Sequence, residues 1–189
     1  MHIIAGERRG AQLFAPRGMD TRPTQAKVKE SLFNIIQVYV PQARVLDLFA
    51  GSGSLSLEAI SRGAASAVLV DMDREANACI RRNVEKLRYQ DCTTILRCDW
   101  KQAVVQLRGT EPFDLVFLDP PYRMTELCEF CAALETGGLL APGAMLVLEH
   151  RTGVKPELTG RFELYKERAY GDTEIHFYLY QSAQEEAEA

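Results

Sequence analysis

No apolar run in this 189-residue chain approaches the ~18 residues that a membrane span needs. The opening Met-His-Ile-Ile-Ala-Gly-Glu-Arg-Arg lacks the apolar segment of a secretory signal. A cytoplasmic location without membrane contact is therefore expected. Cysteine is sparse and odd in number, at 79, 92, 98, 128 and 131, which points to reduced thiols and away from a disulfide framework. Cys128-Glu129-Phe130-Cys131 is a C-x-x-C with no second cysteine pair at zinc spacing, so these thiols read as small core residues. The histidines, His2, His150 and His176, are scattered. They offer no metal spacing and no Ser-His-Asp arrangement, so no metal is expected. There is no internal repeat, and no low-complexity segment except the tail from Gln181 to Ala189.

What is present is ordinary for a globular protein: 47% hydrophobic and 25% charged residues,. A chain of this size buries ~70% of its unfolded surface and holds one core without staples. The net charge of −4 is unevenly spread. Residues 1–44 carry seven Lys or Arg against three acids, and the last nine residues carry three Glu and no base. A basic arm ahead of an acidic body suggests a polyanion partner.

His2–Ala5 and Gln12–Ala15 are short apolar runs around Gly-Glu-Arg-Arg-Gly, which predicts a hairpin. Val28, Leu32, Ile35, Ile36 and Tyr39 recur at helical spacing from Thr24 onward, with Pro41 at or past the end. Strand and helix patterns then alternate. The spacing predicts strands at Val45–Phe49, Ser66–Val70, Thr93–Arg97, Leu115–Leu118 and Met145–Glu149. Helices are predicted at Leu55–Arg62, after the cap Asp73, at Trp100–Leu107 and at Thr125–Leu134. Phe162–Tyr170 and Glu174–Tyr180 form a closing antiparallel hairpin. This is an α/β, Rossmann-like pattern: a mostly parallel sheet of seven strands with helices on both faces.

The first strand runs through Asp47-Leu48-Phe49-Ala50-Gly51-Ser52-Gly53 into a helix. Glycines at 51 and 53 let backbone approach a ligand where a Cβ would clash. The dinucleotide fingerprint wants a third glycine at position 56, which is Ser,. An acid in the strand, Asp47, suits a cationic ligand better than a pyrophosphate. S-adenosylmethionine, with its sulfonium and ammonium and no phosphate, fits. Asp47 would attract its methionine ammonium, directly or through water, Phe49 is a further candidate cofactor contact, and Asp71 would take ribose hydroxyls. Met72 would lie beside adenine, and Asp99 followed by Trp100 would meet the adenine amine. Asp73 reads as a helix cap.

Asp119-Pro120-Pro121-Tyr122 follows the fourth strand of this region. Two prolines stop the strand, fix φ and leave carbonyl acceptors without competing donors. That array suits a planar exocyclic amine with two protons to donate. Tyr122 would stack on a base rotated out of its own stack.

With these motifs the chain resembles the bacterial 16S ribosomal RNA guanine-N2 methyltransferase family that modifies guanine 966, of the class I S-adenosylmethionine-dependent type. The likeness runs through Ile3-Ile4-Ala5-Gly6 with Arg9-Gly10, Arg22-Pro23-Thr24, Val28-Lys29-Glu30-Ser31-Leu32-Phe33-Asn34-Ile35, the Gly loop, Asp119 to Tyr122, and Tyr170-Gly171-Asp172-Thr173. The family often has Glu where this chain has Asp71. The resemblance implies an S-adenosylmethionine cofactor and a 16S RNA partner, free or within a small ribosomal subunit, and a monomer is expected. Residues 1–40 would form an RNA-binding extension, residues 41–181 the methyltransferase part, and residues 182–189 a frayed acidic tail. Arg8, Arg9, Arg17, Arg22, Thr24, Lys27 and Lys29 are the candidate RNA contacts, although Lys27 and Lys29 cannot share one helix face. Two other readings stay open: an amine methyltransferase acting on adenine N6 or a protein amide, and a binding module without turnover.

Overall fold

The computed structural model describes residues 1–16, 23–121, 124, 127–153, 156–158 and 160–181. Arg17, Arg22, Tyr122 and the 182–189 tail lie outside the described residues, as does the side chain of Thr24.

The chain begins with an arm in which His2 bridges Gln12 antiparallel. Ile3 N–H donates to Ala11 O and Gly10 N–H to Ile3 O, so the expected hairpin exists as a tight loop with a single bridge. Helix α1 (Pro23–Ile35) opens on a proline, whose missing N–H costs nothing at that position. It stops sooner than the apolar spacing predicts, and Tyr39 lies in a separate 3-10 turn, Gln37–Tyr39.

The alternating region gives β1 (Arg44–Asp47), α2 (Ser54–Ser61), β2 (Ser66–Val70), α3 (Arg74–Leu87), β3 (Thr93–Leu96), α4 (Trp100–Leu107), β4 (Phe113–Leu118), α5 (Leu127–Thr136) and β5 (Leu140–Arg151). The chain closes with β6 (Phe162–Tyr170) and β7 (Thr173–Tyr180). The seven strands lie in the order β3-β2-β1-β4-β5-β7-β6. Pairings from β3 to β5 are parallel, and β5–β7 and β6–β7 are antiparallel. Strand β5 extends well beyond the expected Met145–Glu149, because β4 pairs along one side and β7 along the other.

Alternation along the strands divides the core in two. Val45, Leu115, Phe117, Met145, Val147, Ile175 and Phe177 face one side, against α1, α2, α3 and the arm residues Ile3 and Leu13. Leu46, Leu48, Val116, Leu118, Leu146, Leu148 and Tyr178 face the other, against α4 and α5. The strand order turns back between β1 and β4. In open α/β sheets that switch point, outside the carboxyl ends of the strands, is where ligands bind.

Candidate active site

The loop after β1 is built around its glycines. Gly51 and Gly53 have φ of 55° and 78°, the left-handed region that favours glycine,. A Cβ on Gly53 would lie 2.9 Å from Cδ2 of Leu69. Gly53 is also the N-cap of α2. The Asp71 carboxylate accepts the Gly51 N–H at 2.8 Å through one oxygen and the Asp73 N–H at 2.8 Å through the other. Asp71 therefore ties the ends of β1 and β2 together, and its remaining lone pairs are what it has for a ligand. Beside it Met72 is exposed, at 71% of its surface. Asp73 caps α3 by accepting the Ala76 N–H, as expected.

Asp47 is deeply buried and accepts from Ser56 Oγ at 2.9 Å. Ser56 thus occupies the third-glycine position of the dinucleotide pattern with a hydroxyl that serves the strand carboxylate. Burial pushes the Asp47 carboxyl up to about 7, with the charges of Asp119 and Asp71 adding to the rise against the Ser56 bond. Phe49 is half-buried and meets Phe130 at 5.2 Å.

Strand β3 ends at Leu96, short of the expected Arg97, and Asp99 is the N-cap of α4, accepting from Gln102 N–H at 2.9 Å. The Trp100 ring is buried, edge-on to Phe130 at 4.8 Å, so its mass belongs to the core beneath the site.

Asp119 and buried Pro120 follow β4 directly, with exposed Pro121 after them. Asp119 reaches solvent, yet the surrounding protein desolvates its carboxyl and pushes it up to about 6. Leu118 pairs with Leu148, so Asp119 and Glu149 occupy equivalent places one step further along adjacent strands. Burial, then the Asp119 charge, pushes Glu149 up to about 8. Asp47, Asp119 and Glu149 thus gather at the carboxyl ends of β1, β4 and β5. Sequence reasoning missed Glu149, which carries no local motif.

The arm is fastened to α2, α3 and the Gly loop by groups that sequence reasoning also missed. Glu58 on α2 accepts the N–H groups of Ile4 at 2.8 Å and Ala5 at 3.0 Å. Ser61 Oγ donates to Ala5 O and accepts from Arg8 N–H. A Cβ at Gly6 would overlap the Ser61 backbone. Asn83 on α3 takes the Phe14 N–H at 2.7 Å and gives its own N–H groups to Phe14 O and to Ser52 O of the Gly loop.

Of the candidate RNA contacts, Arg9 and Lys27 are exposed. Arg8 is half-buried, paired with Glu7 at 3.0 Å and lying over the Tyr89 ring. Lys29 is a correction. It is buried, with Nζ 3.2 Å from Glu58 Oε2 and donating to His2 O and Ser54 Oγ. It holds the arm and does not face a polyanion. Arg82 and Lys86 of α3 lie over the Phe14 ring at 3.8 and 5.1 Å, extending the basic surface beyond the arm.

Among the described residues no helix is long and apolar enough to cross a membrane. The family model described as "Conserved hypothetical protein 95" matches residues 1–179. Ribosomal RNA small subunit methyltransferase D of Escherichia coli is 36% identical over 191 residues, covering 100% of this chain and 94% of that protein. Its namesake in Haemophilus influenzae is 32% identical, covering 96% and 94%. The solved yhhF structure from Escherichia coli superposes with a TM-score of 0.87 at 33% identity, covering 96% of this chain and 98% of that one. The SMU.776 structure, solved with SAH bound, shares the fold at 12% identity and a TM-score of 0.65, covering 82% of this chain and 49% of that one.

Proposed function

We propose, from the premise that this chain belongs to the Conserved hypothetical protein 95 family, that its target is the N2 amine of guanine 966 in 16S ribosomal RNA. The chain is an S-adenosylmethionine-dependent RNA methyltransferase of the class I fold, and the Escherichia coli and Haemophilus influenzae relatives are small-subunit ribosomal RNA methyltransferases.

The residues at the switch point fit the cofactor. Two glycines in left-handed conformation open the loop. Burial raises the three carboxyl groups to about 6, 7 and 8, with neighbouring acids adding to the rise at Asp47 and Glu149, and a bound cation would favour their charged forms. We assign Gly51 and Gly53 to close backbone approach, Asp71 to the ribose hydroxyls, Met72 to the adenine face and Asp99 to the adenine amine. Asp47 lies beneath the loop, where it acts on the ammonium through its charge. When bound, S-adenosylmethionine supplies a methyl group on positively charged sulfur.

The observation that carries the reading is Asp119 directly after β4 at the switch point, its carboxyl desolvated by the surrounding protein and followed by two prolines. Its carboxylate and the Pro120 carbonyl accept the two protons of an exocyclic amine and aim the nitrogen lone pair. The gain is mostly one of positioning. Methylated nitrogen carries one proton too many, and ionised Asp119 is placed to take it. Tyr122 is assigned the flipped base. Residues 1–40 are assigned as the docking extension, with Arg8, Arg9 and Lys27 meeting phosphate. Residues 41–181 are the methyltransferase part.

The test is transfer of labelled methyl to 16S RNA and to small subunits, with the modified nucleotide mapped. Label on guanine 966 N2 is expected. Label on an adenine N6 or on protein, or none in either substrate, overturns the assignment.

A further inference from the structure

On the sheet face opposite the acid trio, the closing hairpin gathers side chains that the methyl-transfer chemistry does not use. Antiparallel pairing sets Leu148 against His176 and His150 against Glu174, and β6 sets Glu167 against His176. The even-numbered positions of β5 and β7 share one face, so His150, His176 and Glu174 come together. One donor atom from each lies within 4.8 Å of the others. The two imidazole rings meet edge-on at 4.6 Å. Scattered in sequence, the histidines gave no metal spacing, and pairing across strands supplies it.

The tautomers are set by the neighbours. His150 Nδ1 lies 2.9 Å from Arg151 O, a carbonyl that can only accept, so Nδ1 carries the proton and Nε2 bears the lone pair. That Nε2 is buried with no hydrogen-bond partner among the described residues, in a side chain at 3% exposure. A buried polar atom left so is costly and calls for an occupant. Tyr178 OH donates to Pro156 O at 3.1 Å. Its oxygen therefore accepts from His176 Nδ1 at 3.3 Å. His176 Nε2 is then turned toward Glu167 Oε2 at 3.7 Å and Glu174 Oε2 at 3.9 Å. Imidazoles that give Nδ1–H to a backbone carbonyl or another oxygen and turn Nε2 to neighbouring ligand groups are in the arrangement of metal-ligating histidines.

We propose that His150, His176 and Glu174 form a binding site for a divalent ion of the zinc class, with Glu167 closing the fourth position. Two imidazoles and two carboxylates suit borderline ions better than magnesium or calcium, which take oxygen ligands. Two carboxylates neutralise the dication, so the site holds no net charge. Tetrahedral zinc with ~2 Å bonds separates its donors by roughly 3.4 Å, so the side chains close by about 1 Å on binding. Glu167 and Glu174 are 59% and 26% exposed in their side chains and supply the way in. The ion would clamp β5, β7 and β6 together.

Titration of the metal-free full-length chain with zinc chloride, by calorimetry near neutral pH, tests this. One equivalent is expected to bind and to raise the thermal midpoint, and magnesium is expected to do neither. His150→Gln and Glu174→Gln should each weaken zinc at least about 10–100-fold, the cost typical of losing even an outer partner. Glu174 is partly exposed, so its variant folds even if the histidine variant does not. Tyr178→Phe frees His176 and should cost about 10–100-fold in affinity. Cobalt should give tetrahedral bands without a thiolate charge-transfer band. No zinc uptake by the folded wild-type chain overturns the site and leaves a histidine–carboxylate cluster. Uptake lost in a Cys128→Ser, Cys131→Ser variant and kept in Glu174→Gln overturns it in favour of the thiols.

Discussion

Lys29 Nζ lies 3.2 Å from Glu58 Oε2, and both side chains are buried, at 8% and 0% exposure. Burial alone would raise the Glu58 carboxyl, but the Ile4 N–H and the Lys29 and Arg62 cations outweigh it and hold it below its ordinary range. Burial lowers Lys29. Removing one partner of such a pair strands the other charge. Glu58→Gln should therefore cost about 3–5 kcal/mol of stability and loosen the arm, as read by urea denaturation. Lys29→Met leaves Glu58 with Arg62 at 2.8 Å and two backbone amides, so its loss should be smaller.

Gly51→Val should abolish S-adenosylmethionine binding. A branched side chain is disfavoured at φ of 55°, and it would also disturb the amide that Asp71 accepts. Calorimetry with the cofactor decides. Unchanged affinity in a folded variant removes this loop from the cofactor site.

Asp119→Ala should keep the fold and the cofactor while single-turnover methylation falls about 30- to 1000-fold, the loss of ~2–4 kcal/mol of orientation in the transition state. Tyr122→Phe should be mild and Tyr122→Ala severe, because stacking needs the ring and not the hydroxyl. Near-normal rates in Asp119→Ala and Tyr122→Ala together would reduce the motif to a turn.

The raised carboxyls fix a sign for pH dependence. Asp47 has the ordinary carboxyl value of 3.8 when unfolded and is pushed up to about 7 by burial when folded. Between those values the folded chain binds the extra proton, so stability falls as pH rises through the window and levels off above it. Asp119 and Glu149 act in the same direction, the latter up to about 8. Asp47→Asn keeps an acceptor for Ser56 and should stabilise the chain at about pH 8 while changing little at about pH 4. Denaturation at the two pH values is the check, and an equal effect at both would contradict the assignment.

Arg9→Ala with Lys27→Ala should weaken RNA binding and make its salt dependence shallower by about 1–2 in log–log slope. Cofactor affinity and stability should stay put. Filter binding across a salt series separates this from misfolding. A slope that does not move would place the phosphates elsewhere.

Legibility followed the range of the interactions. Asp73 could be read as a cap because a cap is made within three residues, and the Gly loop because strand, turn and helix are contiguous. The Asp-Pro-Pro stop was equally local. Glu58, Asn83 and Glu149 act on partners 54 residues, 69 residues and one strand away, and no spacing announces that. Lys29 looked like its neighbour Lys27 because charge is visible in a sequence and burial is not. Helix geometry required the two to face differently, and an acid elsewhere in the chain decided which one turned inward.

Asn83 serves two masters with one amide, holding Phe14 at one end and Ser52 at the other. The consequence concerns grafting. This chain's arm, transplanted into a relative, would have to find an amide at the place of Asn83, a carboxylate at that of Glu58 and a hydroxyl at that of Ser61, none of which travels with the first 16 residues. A chimera exchanging the arm alone should emerge unsettled at the Gly loop, whereas one that carries α2 and α3 along with it should arrive intact.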